Sequence, residues 1–481
     1  MVRTIRLILI LVFFGLVVGP VFAVLRSVSL SEFFSPDILS VVYFTLKQST
    51  LSVLGSLLIG LPLGYWIFKN GSHVSRQRLL LLYSMPTLTV ALAVSLTFQS
   101  YGLMTVIFAH VWMNAPWIAL CLANGLEQFP ENRRRAARSL GASAYSVLRD
   151  FEWPFLRARL LLASSQVFSV CVMSFTLVLL LGGGPPVQTL ETEIYSSIKI
   201  GEPHFNRASV FGLWQLLLTC VPAVIAFFVS MNEEHQAPLI QRDQNDFFSL
   251  KKGDWITPLL FLPFISLIVS IRGKDFLGAF DAEAYSAFLV SLQIALAVAF
   301  GVVLLSLAIA LVSKNNLWIF ILFQIPSGVS ALVLGLGFWL AYARWIDPFE
   351  GSLWAMILIQ ITLILPLGVR TLWPLAKQKN QSALDAARMM GANPLQAWIL
   401  VEWPRWGPSV RSLVFISILW SMSELAAVSL FSSENLITLP LLISRWMSQY
   451  RFDQAIGINL VLGGLAWSFF RIQNRWSKSH V

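Results

Sequence analysis

Charge is what this sequence has least of: Asp, Glu, Lys and Arg make up 12% of its 481 residues, about half the share found in soluble domains. Cysteine is nearly missing. Cys121, Cys171 and Cys220 lie inside apolar runs without CxxC or metal-ligand spacing, which argues against a disulfide framework or zinc site and leaves them as small buried hydrophobes. The five histidines include no HxxxH pair. A phosphate-binding GxxxxGK[ST] loop is missing too: "LLGGGPP" at 180–186 has the glycines but lacks the Lys and Ser/Thr that such a loop needs. No Ser/His/Asp grouping, paired catalytic carboxylates or cofactor fingerprint takes its place. The chain is therefore expected to hold no metal or cofactor of its own and to catalyse no reaction.

Apolar residues fill the space, at 57% of the chain, in repeated runs of about 20 residues, the length a helix needs to cross a bilayer. The spans read as 5–25, 41–68, 79–99, 103–126, 161–182, 207–230, 255–272, 285–313, 317–342, 352–373, 411–431 and 455–472, twelve in all. The net charge of +10 is a topology signal rather than a nucleic-acid footprint, because Lys and Arg gather in short segments between the runs. The positive-inside bias puts both termini, the Arg-rich loop from Arg133 to Arg159 and the stretch from Arg370 to Arg411 in the cytoplasm. Arg242, Lys251, Lys252 and Lys314 fall on that same side, and the acids Asp275, Asp347 and Glu350 on the outer one. The opening "MVRTIRLILILVFFGLVVGPVFA" has the order of a signal peptide. It is expected to remain as a helix, since its counterpart "WITPLLFLPFISLIVSI" is internal.

One polar stretch is written twice. "RAARSLGASAYSVLRDFEWP" at 135–154 returns as "DAARMMGANPLQAWILVEWP" at 385–404, with eight matches in twenty positions at a shift of 250. The likeness spreads outward: Pro116 answers Pro366, "MPTLTVALAVSLTF" at Met85 parallels "IPSGVSALVLGLGF" at Ile325, and Thr189-Leu190 answers Thr438-Leu439. A duplicated unit of six spans returns to its starting side, so the halves are expected to be parallel, with a pathway between them. The halves are 1–231 and 255–481, joined by a cytoplasmic linker at 232–254, with polar loops at 127–160 and 374–410. The fold class is thus an all-α integral membrane protein of about twelve transmembrane helices in two parallel six-helix repeats.

Each loop has a physical design. Ala136-Ala137-Arg138 and Ala386-Ala387-Arg388 favour helix, and Gly141 and Gly391 suit a left-handed helix end. In the closing Glu-Trp-Pro, Pro154 and Pro404 fit the first turn of the next helix, the Trp before each is pushed out of α conformation, and the Glu favours a helix N-terminus. A short helix, a bend and a second short helix should lie beneath the membrane. Small side chains at Ala136, Ala137, Ala386 and Ala387 would let another surface approach closely, while Arg138 and Arg388 offer charge-assisted hydrogen bonds to carboxylates.

This pattern resembles the EAA loop of ABC importer permeases, the binding-protein-dependent transport system inner-membrane components. The resemblance spans nearly the whole chain, twice, and implies a type I permease fold with two halves fused in one polypeptide, a layout shared by iron(III) and thiamine importers. It further implies a bacterial inner-membrane location, two cytoplasmic ABC ATPase subunits that bind ATP and seat on the loops, and a solute-binding protein outside. The family's acidic first position is Arg135 in the first loop and Asp385 in the second. Thiamine or iron(III) follows from the layout alone, and the residues leave an anion or polyamine open. The rival reading is an ion-gradient-driven secondary transporter, which can also have two parallel six-helix halves.

Polar groups within spans are the candidates for a solute path. Glu424 is the clearest acid, as a cation route or a packing element, with Phe175 at its partner position. His110 and Gln360 occupy matching places, as do Gln48 and Gln293, and interhelical hydrogen bonding is their expected role.

Overall fold

The computed structural model describes residues 2–231, 254–270, 279–313, 316–345, 352–378, 381–433 and 436–478. Of the linker at 232–254 only Asp254 is among them. Arg242, Lys251, Lys252, Asp275, Lys314, Asp347 and Glu350 also lie outside the described residues.

The described secondary structure is helical. Six helices are long and apolar enough to cross a membrane, or up to eight if each of two bent pairs counts as one span. The bent pairs correct the straight spans expected at 79–99 and 317–342. His73–Tyr83 meets Thr87–Phe98 at 91°, and the segment Leu317–Gly328 meets Ala331–Tyr342 at 101°. Pro86 sits in the first break, and Pro326 lies in the tight turn Ile325–Gly328 just before the second. A proline has no N–H to donate and disfavours α conformation in the residue before it, so the helical ladder stops there. The expected span at 255–272 is likewise two short helices, Ile256–Leu259 and Leu262–Val269. The spans at 161–182 and 411–431 are each interrupted too, between Trp153–Val172 and Thr176–Leu181, and between Trp403–Ser423 and Ala426–Phe431.

Packing divides the chain into two compact units, and they are not the sequence halves. One gathers Ser31–Glu193 and Trp214–Ile271. Its spine is helix Pro36–Asn70 against helix Leu103–Gln128. Ser52, Ser56, Gly60 and Gly64, four residues apart, form a fully or nearly fully buried stripe of small residues on the first helix. A Cβ on Gly60 would come within 2.8 Å of the Ala115 carbonyl, and one on Gly64 within 2.6 Å of that of Ala119. Only glycine admits so close an approach, the small-xxx-small route to helix association. The segment that opens the second sequence half also packs in this unit: the Trp112 indole donates to the Leu260 carbonyl at 2.8 Å.

The other unit gathers Met1–Leu30, Ile194–Leu213 and Arg272–Val481. Here the N-terminal helix contributes Leu9, Phe13 and Val17 to a cluster with Ile309, Phe323 and Val369. The Tyr342 hydroxyl donates to the Gly15 carbonyl at 2.7 Å. The first apolar helix of each sequence half is therefore grouped with the bulk of the other half. The two units repeat one long-range bond: Leu190 N–H donates to Thr45 Oγ1 at 3.1 Å, and Leu439 N–H donates to Ser291 Oγ at 2.8 Å.

Candidate functional site

Both polar loops form a helix, a bend and a second helix. In the first, Glu131–Ser139 ends at Gly141, whose φ is +83°, and the chain resumes as Ala144–Val147. In the second, Gln381–Met389 ends at Gly391, φ +89°, and resumes as Pro394–Val401. The hydrogen bonds closing the two bends match. Ala142 N–H donates to Ala137 O at 3.1 Å and Gly141 N–H to Arg138 O at 3.0 Å; Ala392 to Ala387 and Gly391 to Arg388 repeat both distances. This is a Schellman closure, in which the N–H groups of a left-handed C′ residue and of the residue after it satisfy two terminal carbonyls, and glycine takes that conformation without a Cβ clash. Ser143 and Asn393 then cap the second helices, their side chains accepting from Ser146 N–H and Gln396 N–H.

The faces of these helices differ from the expectation in one respect. Ala136 and Ala386 are exposed, but Ala137 and Ala387 are buried within their own loops, so only one alanine of each pair is open to an approaching surface. The helical period explains it: Arg134 and Leu384, three residues earlier, share the inward face with Ala137 and Ala387. Arg135, Arg138, Asp385 and Arg388 point outward, Arg388 lying 3.5 Å from Asp385. Beside the bends, Leu140 is 89% and Met390 82% exposed, and Tyr145 and Leu395 are exposed at the next matched position.

The re-entry into the bilayer is also built differently. Trp153 is in α conformation, φ −59° and ψ −46°, rather than extended. In the first loop the second helix passes through a π turn at Leu148–Glu152 and runs on, as one span from Ala144 to Val172. The wider turn absorbs the bond that Pro154 cannot make. In the second loop Glu402 separates the two helices, and Pro404 lies in the first turn of Trp403–Ser423.

The closing glutamates do not cap helices through their side chains. Glu152 accepts from Arg134 Nε at 2.7 Å, and Arg134 also donates to the Leu126 carbonyl at 3.0 Å and to Glu131 at 2.5 Å. The hydrogen bond from Arg134 is the foremost reason that the Glu131 carboxyl lies below its ordinary range. Arg134 thus ties the base of the loop across its bend. Glu402 instead accepts from Arg405 at 3.0 Å and from the Trp406 indole at 3.3 Å, while Leu384, Ala387 and Ala397 form an apolar knot. The role of Arg134 escaped the residue reading because it stands in a run of three arginines; its spacing from Ala137 was the available signal.

Among the path candidates, Glu424 sits at the break before helix Ala426–Phe431, its Oε1 accepting from Ala426 N–H at 2.9 Å and Ala427 N–H at 3.2 Å. A carboxylate there satisfies donors orphaned by the break, which is the packing role. The matching helices Thr176–Leu181 and Ala426–Phe431 place Ser174, rather than Phe175, opposite Glu424. His110 Nδ1 lies 3.3 Å from Ser52 Oγ, and Gln360 Oε1 accepts from Ser421 Oγ, so both make the expected interhelical bonds. Gln48 donates to the Cys171 carbonyl at 2.9 Å. Gln293 is exposed. The Thr45/Ser291 correspondence puts Ile294 opposite Gln48, and a one-residue offset turns a side chain by about 100° around a helix. Among the described residues no group of three His, Cys, Asp or Glu side chains could hold a metal ion.

Residues 56–232 match the family described as the binding-protein-dependent transport system inner membrane component. The chain is 26% identical over 485 residues to the thiamine transport system permease protein ThiP of Brucella abortus (strain 2308), an alignment covering 91% of this chain and 88% of that protein. It is 24% identical over 509 residues to the protein of that name from Haemophilus influenzae, covering 96% and 93%. A shorter alignment, 28% identical over 250 residues, covers 46% of this chain and 66% of the chloroplastic sulfate permease 2 of Chlamydomonas reinhardtii.

Proposed function

From the premise that this chain is an ABC importer permease of the fused two-half type, a multi-pass inner-membrane protein, we propose that it forms the translocation path of an ATP-driven thiamine importer. Two separate cytoplasmic ATPase subunits bind the ATP, and each receives one polar loop. A solute-binding protein outside delivers the solute. Both termini and both loops face the cytoplasm in this reading, and the two halves are parallel. Thiamine is taken from the near full-length relatives, which bear that name.

The observation that carries the reading is the matched bend, with Gly141 and Gly391 in the same closure and Leu140 and Met390 exposed beside them. An exposed apolar side chain on a sharply fixed turn, following a helix that exposes Arg135 and Arg138 or Asp385 and Arg388, suits a groove with an apolar floor and a polar rim. Clamping of the ATPases on ATP would drive the loops and alternate the access of the path. The test is reconstitution with the ATPase and binding protein. ATP-dependent uptake of labelled thiamine, abolished without the ATPase, is expected. Uptake driven by a proton gradient alone would overturn the reading in favour of a secondary transporter.

A further inference from the structure

Helix His73–Tyr83 is the piece of the first unit with the most unusual wiring. It is short, polar in its first half, and bent 91° from the apolar helix Thr87–Phe98 that follows it. On one side Arg76 forms a two-pronged ion pair with Glu127, one prong at 2.7 Å, and donates to Asn124 at 3.1 Å. Glu127 stands at the end of helix Leu103–Gln128, where the first polar loop begins. The side chains of Arg76 and Glu127 are only 13% and 16% exposed. A planar guanidinium fork on a carboxylate fixes orientation as well as distance.

At its other side the same helix holds the segment entering the second sequence half. The Asp254 carboxylate is buried at the helix start, accepting from Ser72 N–H at 3.1 Å, Ser72 Oγ at 2.8 Å and Ser75 Oγ. Arg78 donates to the Asp254 carbonyl at 2.9 Å and to Thr257 Oγ1 at 3.1 Å. A buried carboxylate with three donors and a helix N-terminus is a rigid joint.

Among the described residues, the second sequence half does not repeat this wiring. The place of Glu127 is taken by Lys377, stacked 3.9 Å over Trp373, that of Arg76 by Asn316, and the corresponding helix Leu317–Leu322 has 6 residues against 11.

We propose that helix His73–Tyr83 is a transmission arm belonging to the first polar loop alone, driven through the Arg76–Glu127 pair and jointed at Asp254. Movement of the loop base at Glu127 carries Arg76 with it. The arm then pulls on the 254–257 segment at one end and, through the bend, on helix Thr87–Phe98 at the other. The inference rests on the coupling role proposed for the loops, and Arg76 lies outside both of them.

The experiment uses the full chain reconstituted with its ATPase and binding protein, and reads three quantities: ATPase retained on the permease, basal ATP hydrolysis, and thiamine taken up per ATP. Arg76→Glu and Arg76→Gln are expected to leave the first two unchanged and to lower the third about tenfold, the scale of a single coupling free energy. The reversed pair, Arg76→Glu with Glu127→Arg, is expected to recover uptake per ATP to within about threefold of wild type. Asp254→Asn, which keeps the size of the joint, provides a second break should the Arg76 variants fail to insert. Unchanged uptake per ATP in variants that retain the ATPase, or a reversed pair no better than Arg76→Glu, overturns the transmission arm. Failure of the wild-type chain to retain the ATPase overturns the coupling reading itself.

Discussion

Arg134 and Glu152 close the first polar loop on itself, Nε to Oε1 at 2.7 Å, with both side chains less than a tenth exposed. Eighteen residues apart in sequence, they bracket the Gly141 bend, so the angle between the loop's two helices is held from both ends: by a backbone closure at the glycine and by an ion pair at the base. Removing Glu152 leaves Arg134 with only its bonds to Glu131 and the Leu126 carbonyl, a loss of about 1.5–3 kcal/mol, the worth of one hydrogen bond between charged groups. Glu152→Ala should therefore loosen the first loop without touching its exposed face. The expected result is faster protease cleavage between 131 and 152, with uptake reduced several-fold; cleavage at the wild-type rate would show that the pair does not hold the loop.

The glycine bends make a sharper prediction, because the space around them is open. A Cβ at Gly391 would meet nothing within 4 Å, yet its φ of +89° disfavours any L side chain. The cost of substitution is thus conformational, about 1–2 kcal/mol for an ordinary residue and more for a β-branched one. Gly391→Val should insert normally and uncouple uptake from ATP hydrolysis. Gly391→Asn, which tolerates the left-handed region, should retain more uptake than Val; the reverse order would mean that size, not backbone conformation, matters there.

Much of this was readable in the sequence, and the reason is local. Gly141 and Gly391 reveal their conformation through residue type, and eight shared positions foretell the matched bends of the two loops. The partition into units was not readable, because hydropathy states that residues 5–25 and 255–272 are apolar but not which surface they cover. The two 90° class bends were half visible: Pro86 and Pro326 were aligned as matching positions, while a continuous apolar run across each one masked the break. Glu424 was ambiguous for a related reason. A carboxylate in a span suits a cation route or a packing element alike, and residue type does not show the two N–H groups of the interrupted helix that Glu424 accepts from.

Glu424 accordingly has a test that separates charge from hydrogen bonding. Glutamine keeps an oxygen in place for Ala426 and Ala427, so Glu424→Gln should retain most uptake. Glu424→Ala removes the acceptor and should lower thermal stability by the equivalent of about 1 kcal/mol, the usual worth of a lost helix cap. Abolished uptake in the Gln variant, with stability unchanged, would assign the carboxylate to the solute path instead.

Helix Pro36–Asn70 depends on the absence of side chains at Gly60 and Gly64. A methyl group at Gly64 would lie 2.6 Å from the backbone of Ala119, with no flexible side chain to yield. Gly64→Ala should force the helices apart at a cost of roughly 1–3 kcal/mol, seen as a lower melting temperature of the detergent-solubilised protein. Gly464→Ala, where a Cβ would meet nothing within 4 Å, is the matched control and should melt like the wild type. Equal melting of the two variants would argue that the seam is looser than its geometry implies.

The most direct measurement of the account as a whole is where the two exposed tips lie and what they touch. With Cys121, Cys171 and Cys220 replaced, Leu140→Cys and Met390→Cys should each resist a membrane-impermeant thiol reagent in intact cells, react with it in inside-out vesicles, and cross-link to the ATPase subunit when the complex is assembled. Labelling of either tip from outside the cell, or an assembled complex in which neither tip cross-links, would contradict the account.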